Sequence, residues 1–221
     1  EPGRSDLRGA DMSLVIALAA SRQAVIAADR RAILFLGSCP SLEAELYSGQ
    51  IKDDQELEAR AEAFGAVLQV SDGREKVWRR GDVLVGEVTE LSPQLQRRRR
   101  IYIAPGASLQ VEIKSGLEAE LELESKGGEA RIKAWGGVGC TVFGNRFTQK
   151  LAAEEIARAG ARVDLSLIQR IFQKAGEKTT SVSREHTILK SNVVRADARA
   201  GLLAALQADC EECGWRLCGL Q

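Results

Sequence analysis

The stretch Val25-Ile-Ala-Ala-Asp-Arg-Arg-Ala32 decides the fold. Its apolar half continues from Ala24 and stops abruptly at the charged Asp29. A second apolar, partly β-branched run, Ser13-Leu-Val-Ile-Ala-Leu-Ala-Ala20, precedes it across the polar Ser21-Arg22-Gln23. Runs that are apolar on both faces suit a hairpin buried in a layered sheet. Ser13 stands sixteen residues before Asp29.

Outward from this hairpin the texture changes at Pro40. Asp53 lies three residues before Glu56, which is capping-box spacing. Leu57, Ala61 and Phe64 follow at helical intervals until Gly65 stops the helix. Short strands are expected at Val67–Val70, Lys76–Trp78, Val83–Val88, Arg100–Ile103, Leu109–Ile113, Leu117–Leu123 and Ala130–Trp135. Two helices follow, Thr148–Arg158 before Gly160, and one capped by Asp164 that carries Leu167, Ile168, Ile171 and Phe172. A last strand pair would use Ser181–Ser183 and Thr187–Leu189, and a final helix Ala196–Cys210. Strands, then two adjacent helices, then strands and a helix describe an α+β architecture of stacked antiparallel sheets, not a βαβ one.

Bulk properties narrow the function classes. The chain has 221 residues, 44% hydrophobic and 28% charged, an ordinary globular balance that supports a sizeable core. Lysines plus arginines equal acids at 31 each, so nothing in the charge points to nucleic acid or an anionic membrane. The longest apolar run, Leu14–Ala28, is broken by Ser21, Arg22 and Gln23 and is too short to span a bilayer. Five cysteines, an odd number, argue against a disulfide framework and fit a reducing, cytoplasmic setting. The polar leader Glu1–Asp11 reads as an extension, an expression remnant or a propeptide, outside the fold.

Val25-Ile-Ala-Ala-Asp-Arg-Arg-Ala32, in register with Ser13, resembles the second strand of proteasome β subunits behind their N-terminal nucleophile. Lys76-Val-Trp78 resembles the strand with that family's active-site lysine, and Val83-Leu-Val-Gly86 the strand whose glycine amide forms the oxyanion hole. Gly136-Gly-Val-Gly-Cys140 resembles the small-residue turn that opens its first long helix. The segment Pro40–Val70, with Glu45-Leu-Tyr-Ser-Gly49 and Ile51-Lys-Asp-Asp54, has no proteasome counterpart and looks like the archaeal protein ligase connectase and its relatives. Gly81–Val88 and Arg98–Tyr102 fit the same group. The resemblance implies a four-layer αββα sandwich over residues 13–195, a helical insertion at about 40–70, and a C-terminal helical tail at 196–221. The chain departs from it in carrying Ser where these families usually have Thr, and in ending where connectase is expected to continue into a further domain.

The chemistry implied is amide-bond cleavage and religation on polypeptides through an acyl-enzyme. A serine hydroxyl needs a base, and here the base would be the α-amine of Ser13, whose pKa of about 8 leaves a neutral fraction near pH 7. Nothing could then precede Ser13, because an amide nitrogen has no basic lone pair. Asp29 and Lys76 would form a buried ion pair beside it, tuning the amine and stabilising oxyanion charge, with Lys52 the alternative lysine. Arg31 completes the motif, Gly86 would give its N–H to the oxyanion, and Ser181 and Ser183 would bond the amine. Tyr47, Phe64 and Lys52 in the insertion are candidate substrate contacts. The resemblance also implies a Lys-Asp-Pro-Gly-Ala type sequence in a methyltransferase subunit as partner.

Each residue has an ordinary alternative: Ser13 opening a strand, Asp29 in a turn, Lys76 in solvent, Gly86 at a bulge. Cys210-Glu-Glu-Cys213 with Cys218 has the close spacing of half a zinc site, without a second pair nearby. Ser–His catalysis could rest only on His186, and no glycine motif cradles a phosphate, so no cofactor is expected. Arg97–Arg100 reads as a charged sheet edge, since only 5% of residues are aromatic and could stack bases. Two rival functions remain: a self-assembling proteasome-like peptidase, and a non-catalytic peptide-binding module with a blocked N-terminus.

Overall fold

The hairpin forms as β2 (Val15–Ala19) and β3 (Ala24–Asp29), antiparallel with Val15 opposite Ala28 and Ala19 opposite Ala24, and every residue of both strands is buried. The computed structural model describes residues 7–10, 14–92, 95–116, 127–160 and 163–219, with side chains from residue 14 onward. Gly139–Phe143 (β11) pairs with β2 and His186–Ser191 (β12) with β3, giving a four-stranded sheet in the order β11-β2-β3-β12.

The second sheet takes in Leu7–Ala10 (β1), Ala32–Leu36 (β4), Val67–Ser71 (β5), Val83–Leu91 (β7), Leu95–Ala104 (β8), Ala107–Gly116 (β9), Gly128–Gly136 (β10) and Trp215–Cys218 (β13). Its order is β13-β10-β9-β8-β7-β1-β4-β5, and Val77–Arg80 (β6) pairs with β7. All its pairings are antiparallel except β10 with β13.

Alternation along the strands sorts side chains onto two faces. Val15, Ala17, Ala24, Ile26 and Ala28 meet Leu84, Val88, Ile101 and Ile103 between the sheets. Leu14, Ile16, Val25 and Ala27 point the other way, onto α3 (Arg146–Ala159) and α4 (Leu165–Lys178). Leu167, Ile168, Ile171, Phe172 and Ala175 form the buried stripe of α4. On the far side of the large sheet, Val83, Val85, Tyr102, Leu109, Val111 and Ile113 lie under Leu202, Leu206 and Cys210 of α5 (Ala198–Cys213). The chain is a mixed α+β body in which the two sheets face each other and helices cover their outer sides.

Between β4 and β5 the chain makes α1 (Pro40–Tyr47) and α2 (Asp54–Phe64). Asp53 caps α2 by accepting from the Glu56 N–H at 2.8 Å, and the Glu56 carboxylate accepts from the Lys52 N–H at 2.9 Å. Gly65 ends the helix at φ +63°, a conformation that glycine adopts without Cβ strain. Leu42, Leu46, Ile51, Leu57 and Ala61 bury themselves against Ile33 and Phe35 of β4. The segment read as a helical insertion is therefore two helices and a sheet strand with a small core of its own.

The structure corrects several expectations. Leu7–Ala10, read as lying outside the fold, is hydrogen-bonded to both β4 and β7. Gly139–Phe143 is a strand, and the following helix starts beyond Asn145, whose side chain accepts from the Thr148 N–H. Ser181–Ser183 lies in the turn between α4 and β12, which starts only at His186. The C-terminal stretch is no tail: α5 covers the large sheet, and β13 joins that sheet parallel to β10. The Arg97–Arg100 run lies in β8, a central strand and not an edge. Leu117–Leu123 falls outside the described residues.

Candidate functional site

The apolar hairpin delivers one charge to the interior. Asp29 ends β3 fully buried, and Lys76, just before β6, is 2% exposed. The Lys76 Nζ donates to both carboxylate oxygens at 3.2 Å and to the Arg31 carbonyl. The Asp29 carboxylate also accepts the Leu14 N–H at 2.8 Å on Oδ1 and the Arg31 N–H at 2.9 Å on Oδ2. Burial pushes this carboxyl up, and the ammonium and the two amides pull it back down. Lys76 is held in place because its carbonyl accepts from Glu87 N–H at 2.9 Å, which registers β6 on β7. Lys52 is exposed on the insertion, so the lysine paired with Asp29 is Lys76.

Ser13 lies outside the described residues. Its neighbour Leu14 is tied twice to Asp29, through the side-chain bond and through Asp29 N–H donating to the Leu14 carbonyl at 3.2 Å. The α4–β12 turn closes in from the other side. Arg30 N–H donates to Ser183 Oγ at 2.9 Å, and Ser183 Oγ donates to the Glu185 carbonyl at 2.6 Å. Ser181 is fully buried and turns away, bonding Thr179 Oγ1 and the Asn145 side-chain amide, each at 3.0 Å. The turn thus brings Ser183, more than Ser181, to the carboxylate.

Gly86 faces the other sheet. A Cβ built there would lie 2.6 Å from Ile26 Cδ1 and 3.0 Å from Val15 Cγ1, so only glycine lets the sheets approach this closely. Arg31 spreads its guanidinium over several groups. Nε and Nη2 grip Asp72 at 2.7 and 2.8 Å, Nη1 reaches Asp54 at 2.6 Å, and Nη1 also donates to the Thr180 carbonyl at 2.9 Å and hydroxyl at 2.8 Å. The two acids raise the guanidinium above its ordinary value, and its hydrogen bonds hold both carboxyls below theirs.

Asp54, Asp72 and Thr180 escape a reading of the sequence. Beside a helix cap or in a Ser-Asp-Gly turn, an aspartate carries no mark of a long-range partner. Tyr47 packs against the insertion's core, and Phe64 is exposed beneath the Arg60 guanidinium at 5.1 Å. His186 is paired in register with Asp29, and its ring stacks on Phe172 at 5.1 Å. The arginines of β8 are matched internally: Arg97 with Glu112, Arg99 with Glu90, and Arg100 with Glu87 and Asp209. Among the described residues no group of His, Cys, Asp and Glu is arranged to hold a metal ion, and no helix is long and apolar enough to cross a membrane.

A family model described as "Connectase MJ0548-like, N-terminal domain" matches residues 12–211. The chain belongs to the connectase N-terminal-domain family. The match opens at Met12, directly before Ser13, and spans the hairpin, the insertion, Lys76 and the turn with Ser183. Connectase membership points to a ligase- or transpeptidase-type role. No curated protein matches the chain.

Proposed function

We propose that the chain transfers amide bonds on polypeptides through an acyl-enzyme on an N-terminal Ser13. One observation carries this reading: the only fully buried carboxylate of the described hairpin, Asp29, is paired with buried Lys76 and bonded to the amide that follows Ser13. A buried lysine–aspartate pair costs desolvation energy, and such charged groups held in the interior cluster at functional sites. In a connectase-family domain that chemistry is peptide transfer. The packing of helices on two facing sheets supports a four-layer sandwich of the N-terminal-nucleophile type.

In this mechanism the free amine of Ser13 takes the proton from Oγ as Oγ attacks the scissile carbonyl. The oxyanion is stabilised by the Lys76 ammonium, since Gly86 lies within β7 between β6 and β8 and packs on the other sheet. The amine's proton passes to the departing peptide nitrogen as the C–N bond breaks, leaving an ester on Ser13. An incoming peptide amine then attacks that ester, and the same proton shuttle runs in reverse. Asp29 orients Lys76, Ser183 steadies the turn, and Ser181 ties that turn to the cap of α3. The backbone slot between β4 and β7, where Leu7–Ala10 lies, supports binding of an extended substrate by strand addition. By family likeness the substrate is a Lys-Asp-Pro-Gly-Ala type sequence in a methyltransferase subunit, with Tyr47, Phe64 and Lys52 of the insertion as its candidate contacts.

Intact mass of a chain beginning at Ser13, quenched in acid with a Lys-Asp-Pro-Gly-Ala peptide, tests this. The expected product is an adduct of the acyl half on the N-terminal peptide, absent in Ser13→Ala. An adduct elsewhere in the chain would refute the assignment.

A further inference from the structure

Arg31 touches both the insertion, through its guanidinium, and the site, through its backbone. Its backbone N–H holds Asp29 Oδ2 at 2.9 Å, on the carboxylate that binds Lys76. Its side chain holds Asp54 at the first residue of α2 and Asp72 just beyond β5, which are the two ends of the α2–β5 unit. The same Nη1 holds Thr180, one residue before the Ser181–Ser183 turn, and the Thr180 N–H donates to the Ile51 carbonyl at 3.2 Å. Thr180 Oγ1 completes the ring by donating to Asp54. Asp54 and Leu57 also line a cavity of about 310 Å³ between α2 and β5.

Two carboxylates on one arginine exceed what charge balance needs. A planar fork that engages both fixes direction as well as distance, which an ammonium could not do. Among the described residues the insertion contributes no side chain to the Asp29–Lys76 pair itself; it reaches the site through this fork, through the Thr180 bonds to Ile51 and Asp54, and through the pairing of β5 with β4.

Resting on the reading of the chain as an acyl transferase, we propose that Asp54 and Asp72 are positioning residues. Through Arg31 they lock the insertion against the Asp29 strand and the Ser183 turn. The locked insertion keeps water from the acyl-enzyme and holds the incoming peptide, so the pair sets the ratio of transfer to hydrolysis.

The test uses Asp72→Asn, Asp54→Asn and Arg31→Lys, with Glu45→Gln as control; Glu45 pairs with Arg60 inside the insertion and has no bond to Arg31. Peptides labelled on either side of the scissile bond are given to chains beginning at Ser13. The three variants should raise the hydrolysed fraction at least threefold, and Glu45→Gln should leave it unchanged. An equal fall in transferred and hydrolysed product would mean a purely structural role and overturn the proposal. Backbone hydrogen exchange on the full chain reads the lock without turnover. Asp72→Asn should speed exchange in α2, at residues 29–31 and at 180–183 together. Acceleration confined to residues 71–74 would also overturn it. A parent chain that turns over no peptide would count against the transferase reading, and exchange alone would then decide the lock.

Discussion

Removing the charge of Asp29 without changing its shape should unbalance the site in a calculable way. In Asp29→Asn one side-chain oxygen becomes an NH2 group. The native oxygens receive the Leu14 N–H at 2.8 Å and the Arg31 N–H at 2.9 Å, so the new donor must face one of those donors. The Lys76 ammonium, 2% exposed, keeps the Arg31 carbonyl but loses its counter-ion. Breaking a buried pair from one side typically costs about 3–5 kcal/mol. For a chain of this size that is roughly a 10 °C fall in Tm. Asp29→Asn/Lys76→Met removes both charges and should be more stable than Asp29→Asn alone, with a coupling of about 2 kcal/mol in a double-mutant cycle. The assay is urea denaturation of the parent, both single variants and the double variant. An Asp29→Asn chain within about 1 kcal/mol of the parent, or strictly additive effects, would refute the pairing that the site rests on.

Gly86→Ala should destabilise by about 1–3 kcal/mol in chemical denaturation, since its Cβ meets Ile26 Cδ1, and adding Ile26→Val should restore part of the loss. Asp54 and Asp72 have folded pKa values lowered chiefly by hydrogen bonds from Arg31, so the stability they lend is complete above the ordinary carboxylate range and is lost as pH falls through their folded values. Urea midpoints measured down to about pH 3 should therefore fall less steeply for Arg31→Met than for the parent, with a modest difference because both acids are half exposed. Burial pushes the Cys140 and Cys210 thiols up to about 11, so iodoacetamide near pH 7.5 should modify both only after unfolding, as peptide mapping would reveal.

The parts of the site legible in the sequence are those written into the hairpin. Two runs apolar on both faces had to be interior strands, and the abrupt Asp29 marked where a charge enters the core. Likeness to the lysine strand favours Lys76 over Lys52, but the residues alone do not place it. What separates them is the pairing of Val77 with Gly86, a contact that no local pattern announces. The helices were readable because Asp53, Asp164 and the α4 stripe are local signals. β11 was misread because Gly139 and Cys140 look like a turn, and it is strand only because β2 offers an unpaired edge. Ser181–Ser183 has the composition of a strand end, yet its hydroxyls find partners within the turn and at Asn145. The Arg31 fork spans residues 31 to 180, a separation at which sequence periodicity carries no information.

The most direct test of the central claim is transfer by a chain beginning at Ser13, compared with the same chain retaining residues 1–12. Two recognition peptides, one labelled on each side of the scissile bond, are mixed with each form and the products followed over time. The proposed function predicts exchanged halves with little free acid from the Ser13 chain, and none from the longer chain unless its leader is lost. Exchange by the longer chain with its leader intact, or free acid without exchanged product from the Ser13 chain, would contradict it.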